Sequence, residues 1–357
     1  MRIPSWTTLL PIVSVLLVGV AMVWPPGTAL ALICAAALMG SVLASVHHAE
    51  VVAHRLGEPF GTLVLAVSVT LIEAALIVSM MLAGGADKSA LPRDTIFSAI
   101  MIICNGAVGL CLLVGGLKHH EQSFRLEGAA SALATLIALS TLTLVLPTFT
   151  TTAPGPRYTT AQLAFAAVAS LVLWAVFVFV QTVRHRDYFL PPHNANDESA
   201  HAPPPSVPVA WASFGLLVVS LLAVIGLAKI LSPTIERGVE AAGLPASVIG
   251  IVIALLVLLP ETWAALRAAR ADRLQTSLNL ALGSALASIG LTIPVVALLS
   301  VILGLPLLLG LSAKDLVLLA LTFVVSGITL GTGRTNVLQG AVHLVIFAAF
   351  LLLAIVP

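Results

Sequence analysis

The chain has 357 residues, of which 59% are hydrophobic and only 9% are charged, with a formal net charge of +1 at pH 7. Soluble domains carry about 25% charged residues, so this composition excludes an ordinary water-soluble domain and predicts an all-α polytopic membrane protein. The near-zero net charge offers no basic stripe for phosphates, which argues against nucleic acid as a partner.

The first apolar run, from Leu9 to Trp24, has two interpretations. Arg2 precedes it and an Ala-Leu-Ala triplet follows at 29–31, which is the pattern of a cleaved signal peptide. A first transmembrane helix that stays in the protein has the same pattern. We favour the retained helix because the segments that follow are themselves long and apolar.

Ten further apolar segments follow, separated by proline, glycine or charged residues. The eleven predicted helices have the approximate spans 9–24, 28–52, 60–84, 95–117, 128–147, 160–182, 209–231, 244–266, 274–302, 313–331 and 336–356. A polar stretch rich in proline, asparagine and histidine, residues 184–208, separates the sixth helix from the seventh. Such a stretch cannot bury an apolar face, so we predict that it is a linker.

The third predicted helix contains an isolated acid within "SVTLIEAALIVSM" (68–80). Glu73 is the only charged residue between Gly61 and Ala86. A helix of this length spans the hydrocarbon core of a bilayer, which needs roughly 20 apolar residues. A charged side chain near the bilayer centre costs about 2.5 kcal/mol or more to insert. An acid kept at that depth predicts a binding function.

A second acid, Glu261, occupies the matching place in the other half of the chain. The segments "GTLVLAVSVTLIEAAL" (61–76) and "IGIVIALLVLLPETWA" (249–264) each carry one acid at the thirteenth position. After the first helix, five predicted helices precede the linker and five follow it, and an odd number per half predicts inverted repeats. The predicted division is an N-terminal transmembrane helix at 1–26, a first five-helix repeat at 27–183, a cytoplasmic linker at 184–208 and a second repeat at 209–357.

Inverted repeats would bring Glu73 and Glu261 together near the middle of the membrane. Two carboxylates away from water are neutralised either by one proton each or by one divalent cation. Pro260 removes a backbone donor and frees a carbonyl, and freed carbonyls can coordinate cations. Competition between cation and protons for two acids predicts proton-coupled antiport. Nearby oxygen atoms are offered by Ser68, Thr70, Asn105, Thr262, Ser284 and Ser288.

Two stretches, "GEPFGTLVLAVSVTLIEAALI" (57–77) and "LPETWAALRAARADRLQTSLNLALGSALASIGLTIP" (259–294), resemble the cation/Ca²⁺ exchanger superfamily. The resemblance is to its bacterial Ca²⁺/H⁺ antiporters, which also move Na⁺ or K⁺ against protons. It implies a first helix, two inverted five-helix repeats and a cation site between the repeats. By position, the acidic ligands of the site fall on Glu73 and Glu261. The polar supporting residues fall on Asn105, Gly283, Ser284 and Ser288.

Two features depart from the family pattern. The Gly-Asn pair common before the glutamate is replaced by "TLIE" and "LLPE", and the acidic segment between the repeats shrinks to Asp197 and Glu198. Both departures leave room for monovalent ions beside Ca²⁺.

The distribution of basic residues predicts the orientation. Under the eleven-helix prediction, ten of the sixteen Lys and Arg residues fall on one side of the membrane. They are Arg2, Arg55, Lys118, Arg125, Arg184, Arg186, Arg267, Arg270, Arg273 and Arg334. This places the N-terminus and the linker in the cytoplasm and the C-terminus outside, in the cell inner membrane.

Histidines cluster at the end of the second predicted helix. His47, Glu50, His54 and Glu58 recur at three- and four-residue spacing and share a face, with His48 beside them. Because histidine titrates near neutral pH, His47, His48 and His54 are candidates for pH sensing, although a solvated helix end is the interpretation we favour. His343, within the last helix, is either a proton relay or a hydrogen-bonded packing residue, and we favour packing.

The residues and the resemblance together predict a secondary active cation/proton antiporter that exports Ca²⁺, and also Na⁺ or K⁺, in return for protons by alternating access. Its partners are cations, protons and the lipid bilayer, and no resident cofactor is expected. The alternatives are a Na⁺(K⁺)/H⁺ antiporter with little Ca²⁺ transport, a cation channel, and an intramembrane hydrolase. We expect no enzyme activity, because the His-Glu-x-x-His motif is absent from the sequence. The oligomeric state is left open.

Overall fold

A computed structural model describes residues 5–24, 27–56, 60–191 and 205–356 of the chain. Four features named above lie outside these residues: Arg2, Glu58, the Asp197–Glu198 pair and most of the predicted linker.

Eleven helical segments follow one another along the described residues, which confirms the all-α prediction of about eleven helices. They are α1 (Ser5–Val23), α2 (Thr28–Leu56), α3 (Phe60–Gly84), α4 (Leu91–His119), α5 (Leu126–Phe149), α6 (Thr160–Arg184), α7 (Val207–Ala241), α8 (Ser247–Arg270), α9 (Leu274–Leu303), α10 (Ala313–Leu330) and α11 (Val337–Ile355). Within the described ranges, ten of them are long and apolar enough to cross a membrane, and α3 contains the shorter apolar stretch Thr70–Leu82.

The predicted end of the seventh helix is wrong. We expected it to stop at residue 231, before Pro233, but α7 continues to Ala241. A proline removes only one helical hydrogen bond, and side chains on the next turn support the extension. Ser232 Oγ donates to Glu236 Oε1 at 2.9 Å, and Lys88 forms a salt bridge with the same carboxylate at 3.1 Å.

Three helices contain π-helical turns that the sequence pattern did not predict. They span Ile102–Ala107 in α4, Thr141–Val145 in α5 and Val180–Arg184 in α6. A π turn inserts one residue into a helix and is frequent at functional sites. The turn in α4 contains Asn105, one of the predicted site residues.

A short antiparallel pair joins two loops between helices. Strand β1 (Gln122–Ser123) pairs with β2 (Arg334–Thr335), so the connection before α5 is held against the connection before α11. Two residues per strand are too few to leave an alternating pattern, which is why the sequence did not reveal them.

The helices group into two compact units. The first contains α1, α2, α3 and α7, and the second contains α4–α6, α9–α11 and α8 from Gly250 onward. Each unit therefore combines helices from before and after the linker. The division into repeats at 27–183 and 209–357, and the inverted orientation of those repeats, stay predictions.

Glycines allow the closest helix contacts within each unit. In the first unit, Gly40 lies against Leu10 and Gly226 against Val18. In the second, Gly109 and Gly340 bring α4 and α11 together, since a Cβ on Gly340 would collide with the backbone of Leu113. Small residues at helix contacts are typical of membrane proteins, where close packing replaces the hydrophobic driving force.

Candidate cation-binding site

Glu73 lies inside the first unit. It is only 3% exposed and sits in the apolar part of α3, with the fully buried Ile72 and Ile77 nearby in sequence. Thr70 is also buried and, being three residues away, shares its face of the helix. Helix α3 packs against α2 and α7. The structure thus buries the acid that the sequence places within this apolar helix.

Glu261 lies on α8 in the second unit, where it and Thr262 are half-buried. Helix α8 continues through Pro260 from Ser247 to Arg270. Because proline has no amide hydrogen, the carbonyl of Leu256 loses its usual intrahelical donor one turn from Glu261. The predicted combination of a carboxylate and a freed carbonyl is therefore compatible with an unbroken helix.

The end of α8 is held by the last residues of α4 and by the connection that follows them. Lys118 Nζ donates to the carbonyl of Arg270 at 2.9 Å, and the His119 ring lies 3.1 Å from the same oxygen. Gln122 Nε2 donates to the carbonyl of Ala269 at 3.0 Å. Donors and positive charge at the carbonyl end of a helix satisfy its free acceptors and favour its dipole. The helix that carries Glu261 is thus anchored within its own unit.

Three predicted supporting residues lie on α9. Ser288 is 2% exposed, and Ser284, one turn earlier on the same face, is half-buried. At Gly283, a Cβ would meet no atom within 4 Å, so the backbone there borders open space. The two hydroxyls thus lie one helical turn apart on one face of α9.

Asn105 is the centre of a hydrogen-bonded network inside the second unit. It is fully buried, and its Nδ2 donates to Thr322 Oγ1 at 2.9 Å. Its Oδ1 lies 3.1 Å from His343 Nδ1, and His343 Nε2 lies 3.1 Å from Thr329 Oγ1. The network joins the π turn of α4 to α10 and α11. His343 is therefore hydrogen-bonded, as the packing interpretation predicts.

The network fixes the direction of each hydrogen bond. Thr322 Oγ1 donates to the carbonyl of Leu318 at 2.8 Å, so it accepts from Asn105 Nδ2. Asn105 Oδ1 then accepts from His343, which assigns the ring proton to Nδ1 and leaves Nε2 to accept from Thr329. Sequence reasoning missed Thr322 and Thr329. The signal that could have found them is their seven-residue spacing, which places two hydroxyls on one face of α10.

The predicted histidine group separates into different environments. His54 is exposed, whereas His48 is fully buried and its Nε2 lies 3.0 Å from the carbonyl of Thr7. His47 is half-buried, and its ring centre lies 5.4 Å from that of His48. The favoured interpretation, a solvated helix end, is thus wrong for His48.

The predicted site residues are distributed over both units. Glu73 and Thr70 belong to the first unit, and Glu261, Thr262, Asn105 and the α9 residues belong to the second. Within the second unit, Asn105 is bonded to Thr322 and His343 rather than to another predicted site residue. The meeting of the two acids stays a prediction.

Comparison with known proteins gives one family and several full-length relatives. The pattern of the family described as "Sodium/calcium exchanger protein" matches residues 26–183 and 212–356. The protein y4hA of Sinorhizobium fredii is 50% identical over 364 residues, which cover 100% of this chain and 97% of y4hA. The sodium-potassium/proton antiporter ChaA of Escherichia coli is 36% identical over 96% of this chain and 93% of its own. The solved structure of native YfkE shares the fold, with a TM-score of 0.75 at 18% identity over 98% of this chain and 100% of YfkE.

Proposed function

The chain belongs to the sodium/calcium exchanger protein family, and from this premise we propose that it is a secondary active antiporter exchanging cations for protons. The observation that carries the proposal is Glu73, a carboxylic acid 3% exposed within a membrane helix. Such intramembrane acids mark ion pathways and proton relays. Glu261 supplies a second acid at the matching sequence position.

In the proposed mechanism, the cation and the protons bind alternately to Glu73 and Glu261. A carboxylate away from water is stable either protonated or paired with a cation. Binding a cation therefore requires the loss of protons from the two acids, and reprotonation releases the cation. Alternating access of this site to the two sides of the membrane converts the competition into exchange.

Thr70, Thr262, Ser284 and Ser288 offer hydroxyl oxygens, the kind of ligand that Ca²⁺ and the alkali cations prefer. Pro260 adds the freed carbonyl on α8, and Gly283 keeps the α9 backbone accessible. Asn105 acts differently in this proposal, because its amide hydrogen bonds already hold the π turn of α4 against α10 and α11. It supports the shape of the second unit next to the ion ligands.

The identity of the cation separates two versions of the proposal. Two carboxylates match the charge of one Ca²⁺, which favours Ca²⁺/H⁺ exchange, and YfkE is described as a Ca²⁺/H⁺ antiporter. The 36% identity with a sodium-potassium/proton antiporter favours Na⁺ or K⁺. We propose Ca²⁺ export as the main activity, with Na⁺ and K⁺ as further substrates.

The chain is a multi-pass membrane protein, and its relatives are transporters. We propose that it lies in the inner membrane with its N-terminus in the cytoplasm and its C-terminus outside, in line with the bias of basic residues. His47, His48 and His54 then lie near the cytoplasmic end of α2, where they can make transport respond to cytoplasmic pH.

Replacing either acid tests the proposal. In inverted membrane vesicles that hold a proton gradient, addition of Ca²⁺, Na⁺ or K⁺ to the native protein should release protons. Glu73→Gln and Glu261→Gln should abolish this release, because a neutral amide can neither pair with a cation nor exchange a proton.

The matched control is Glu127→Gln, which removes an exposed acid from the first turn of α5 and should leave exchange intact. Exchange at the native rate in either buried-acid variant, at equal protein levels, contradicts the mechanism. Cation flux without proton coupling in the native protein supports a channel instead.

A further inference from the structure

Three helices of the first unit carry buried serines that have no hydrogen-bond partner among the described residues. Ser14 on α1, Ser41 on α2 and Ser213 on α7 are each 0% exposed, and their hydroxyls find no partner among the residues that the structure describes. Ser45 and Ser220, on the same helices, donate to carbonyls of their own helix at 2.7 and 2.8 Å. A buried hydroxyl left unbonded is not repaid for the hydrogen bonds with water that it loses on burial, so the three hydroxyls require another partner.

His48 supplies a basic ring nitrogen in the interior of the same unit. A carbonyl only accepts hydrogen bonds, so the contact between His48 Nε2 and the Thr7 carbonyl at 3.0 Å assigns the ring proton to Nε2. In the neutral ring Nδ1 then carries a lone pair and can accept a hydrogen bond. It is buried and has no hydrogen-bond partner within the described ranges. A basic nitrogen and three hydroxyls therefore lie among α1, α2 and α7, which pack against one another.

The contacts between α1 and α2 place Ser14, Ser41 and His48 in order along the unit. Gly40 lies against Leu10, so Ser41 and Ser14 are separated along the helix axes by about 7.5 Å, or roughly one and a half helical turns. Ser41 is 15 residues from the end of α2 at Leu56, and Glu73 is 13 residues from the start of α3 at Phe60. At 1.5 Å per residue these distances are about 22 and about 20 Å. Ser41 therefore reaches the depth of Glu73, whereas His48 lies nearer the end of the helices.

We propose that these groups form a hydrated polar seam, defined by Thr7, Ser14, Ser41, His48 and Ser213, through which protons pass from the His48 end of the first unit to the depth of Glu73. Buried polar groups without protein partners are commonly bonded to internal water, which needs two to four polar partners. Chains of polar side chains inside membrane proteins serve as proton paths. The proposal rests on the role of Glu73 put forward above and adds the route by which protons reach it.

The proton balance of the seam is simple. His48 takes up a proton at Nδ1 from water at its end of the helices and releases it from Nδ1 into the seam, while Nε2–H stays on the Thr7 carbonyl. Other titratable or charged groups also lie on the helices packed around His48. They are Cys34, His47, Glu50, His54 and Arg55 on α2, Glu73 on α3, Lys88 just after α3, and Lys229, Glu236, Arg237 and Glu240 toward the far end of α7. The described part of α1 has none. His48 is thus the titratable group with an inward-facing nitrogen near the start of the seam.

Cysteine labelling tests whether water enters the proposed seam. In a full-length chain carrying Cys34→Ala, Cys104→Ala and Cys111→Ala, a small charged methanethiosulfonate reagent should react with Ser41→Cys. The matched control is Ser170→Cys in the second unit, because Ser170 is also 0% exposed but donates to the carbonyl of Ala166 at 2.7 Å. Labelling of position 41 well above position 170 supports a hydrated seam. Equal rates at the two positions overturn it, whatever the role of Glu73.

Exchange kinetics test the proton route. His48→Gln keeps a donor for the Thr7 carbonyl but removes the Nδ1 base, so cation-driven proton release should be several-fold slower and less dependent on pH. Ser41→Ala should slow release in the same way, and Ser170→Ala should not. Native rates and a native pH profile in His48→Gln overturn the route. Retained exchange in Glu73→Gln overturns the proposed function instead, and the labelling experiment still decides whether the seam is hydrated.

Discussion

At the scale of single residues, the polar groups in the interior divide into those that can exchange protons and those that hold helices together. In the proposed function Glu73 belongs to the first kind, because a buried carboxylic acid can lose its proton to a cation. Asn105 belongs to the second, since both ends of its amide are already bonded to neighbouring helices. The distinction comes from the chemistry of the side chain, because a carboxylic acid titrates whereas an amide does not.

Removing the His343 ring tests the structural role of the network. In His343→Ala, Asn105 Oδ1 loses its donor and the Thr329 hydroxyl loses its acceptor inside the membrane. Each buried group left unbonded costs about 1–3 kcal/mol, so the purified variant should unfold at a lower temperature than the native protein. His54→Ala, which changes an exposed histidine on α2, should unfold like the native protein. Equal unfolding temperatures for the two variants contradict the network's role.

The sequence singles out Asn105 and the two acids as polar residues within apolar runs, but it does not reveal their partners. An acid or amide within a long apolar run is visible because it breaks a local pattern. The bonds from Asn105 to Thr322 and His343 span 217 and 238 residues of chain, and no local pattern carries that information. For the same reason His48 was assigned to a solvated helix end, although α1 covers it with the Thr7 carbonyl.

At the scale of elements, apolar runs determined the number of helices, and tertiary contacts determined their details. The helix count follows from lengths that match the bilayer. The extension of α7 beyond Pro233 is accompanied by the Lys88–Glu236 salt bridge, and the π turn of α4 coincides with the bonds of Asn105. Both contacts join residues far apart in sequence, so a local pattern could not predict them.

Helix contact through glycine gives a prediction at this scale. Gly340→Ala places a Cβ against the Leu113 backbone and should separate α4 from α11, with an overpacking cost of about 1–3 kcal/mol. Gly215→Ala is the matched control, because nothing lies within 4 Å of a Cβ at that exposed position of α7. Alanine favours a helix over glycine by about 1 kcal/mol, so this control should be as stable as the native protein or more so. The measurement is the unfolding temperature of each variant in detergent. Equal unfolding temperatures for Gly340→Ala and Gly215→Ala would contradict the close contact between α4 and α11.

At the scale of the whole molecule, the two compact units and the two predicted repeats divide the chain differently. The first unit takes α7 from after the linker, and the second combines α4–α6 with most of α8 and α9–α11. Repeats describe which segments correspond in sequence, whereas units describe which helices pack together. Glu73 and Glu261 belong to different units and to different predicted repeats. The proposed exchange therefore depends on both parts of the chain.

The most direct measurement is the release of protons when a cation binds to the purified protein in weakly buffered detergent solution. If cation and protons compete for Glu73 and Glu261, adding Ca²⁺ to the native protein should acidify the solution, and Na⁺ or K⁺ should do so at higher concentration. Glu73→Gln and Glu261→Gln should release no protons, whereas Glu127→Gln should behave like the native protein. Proton release equal to that of the native protein from either buried-acid variant would contradict the account.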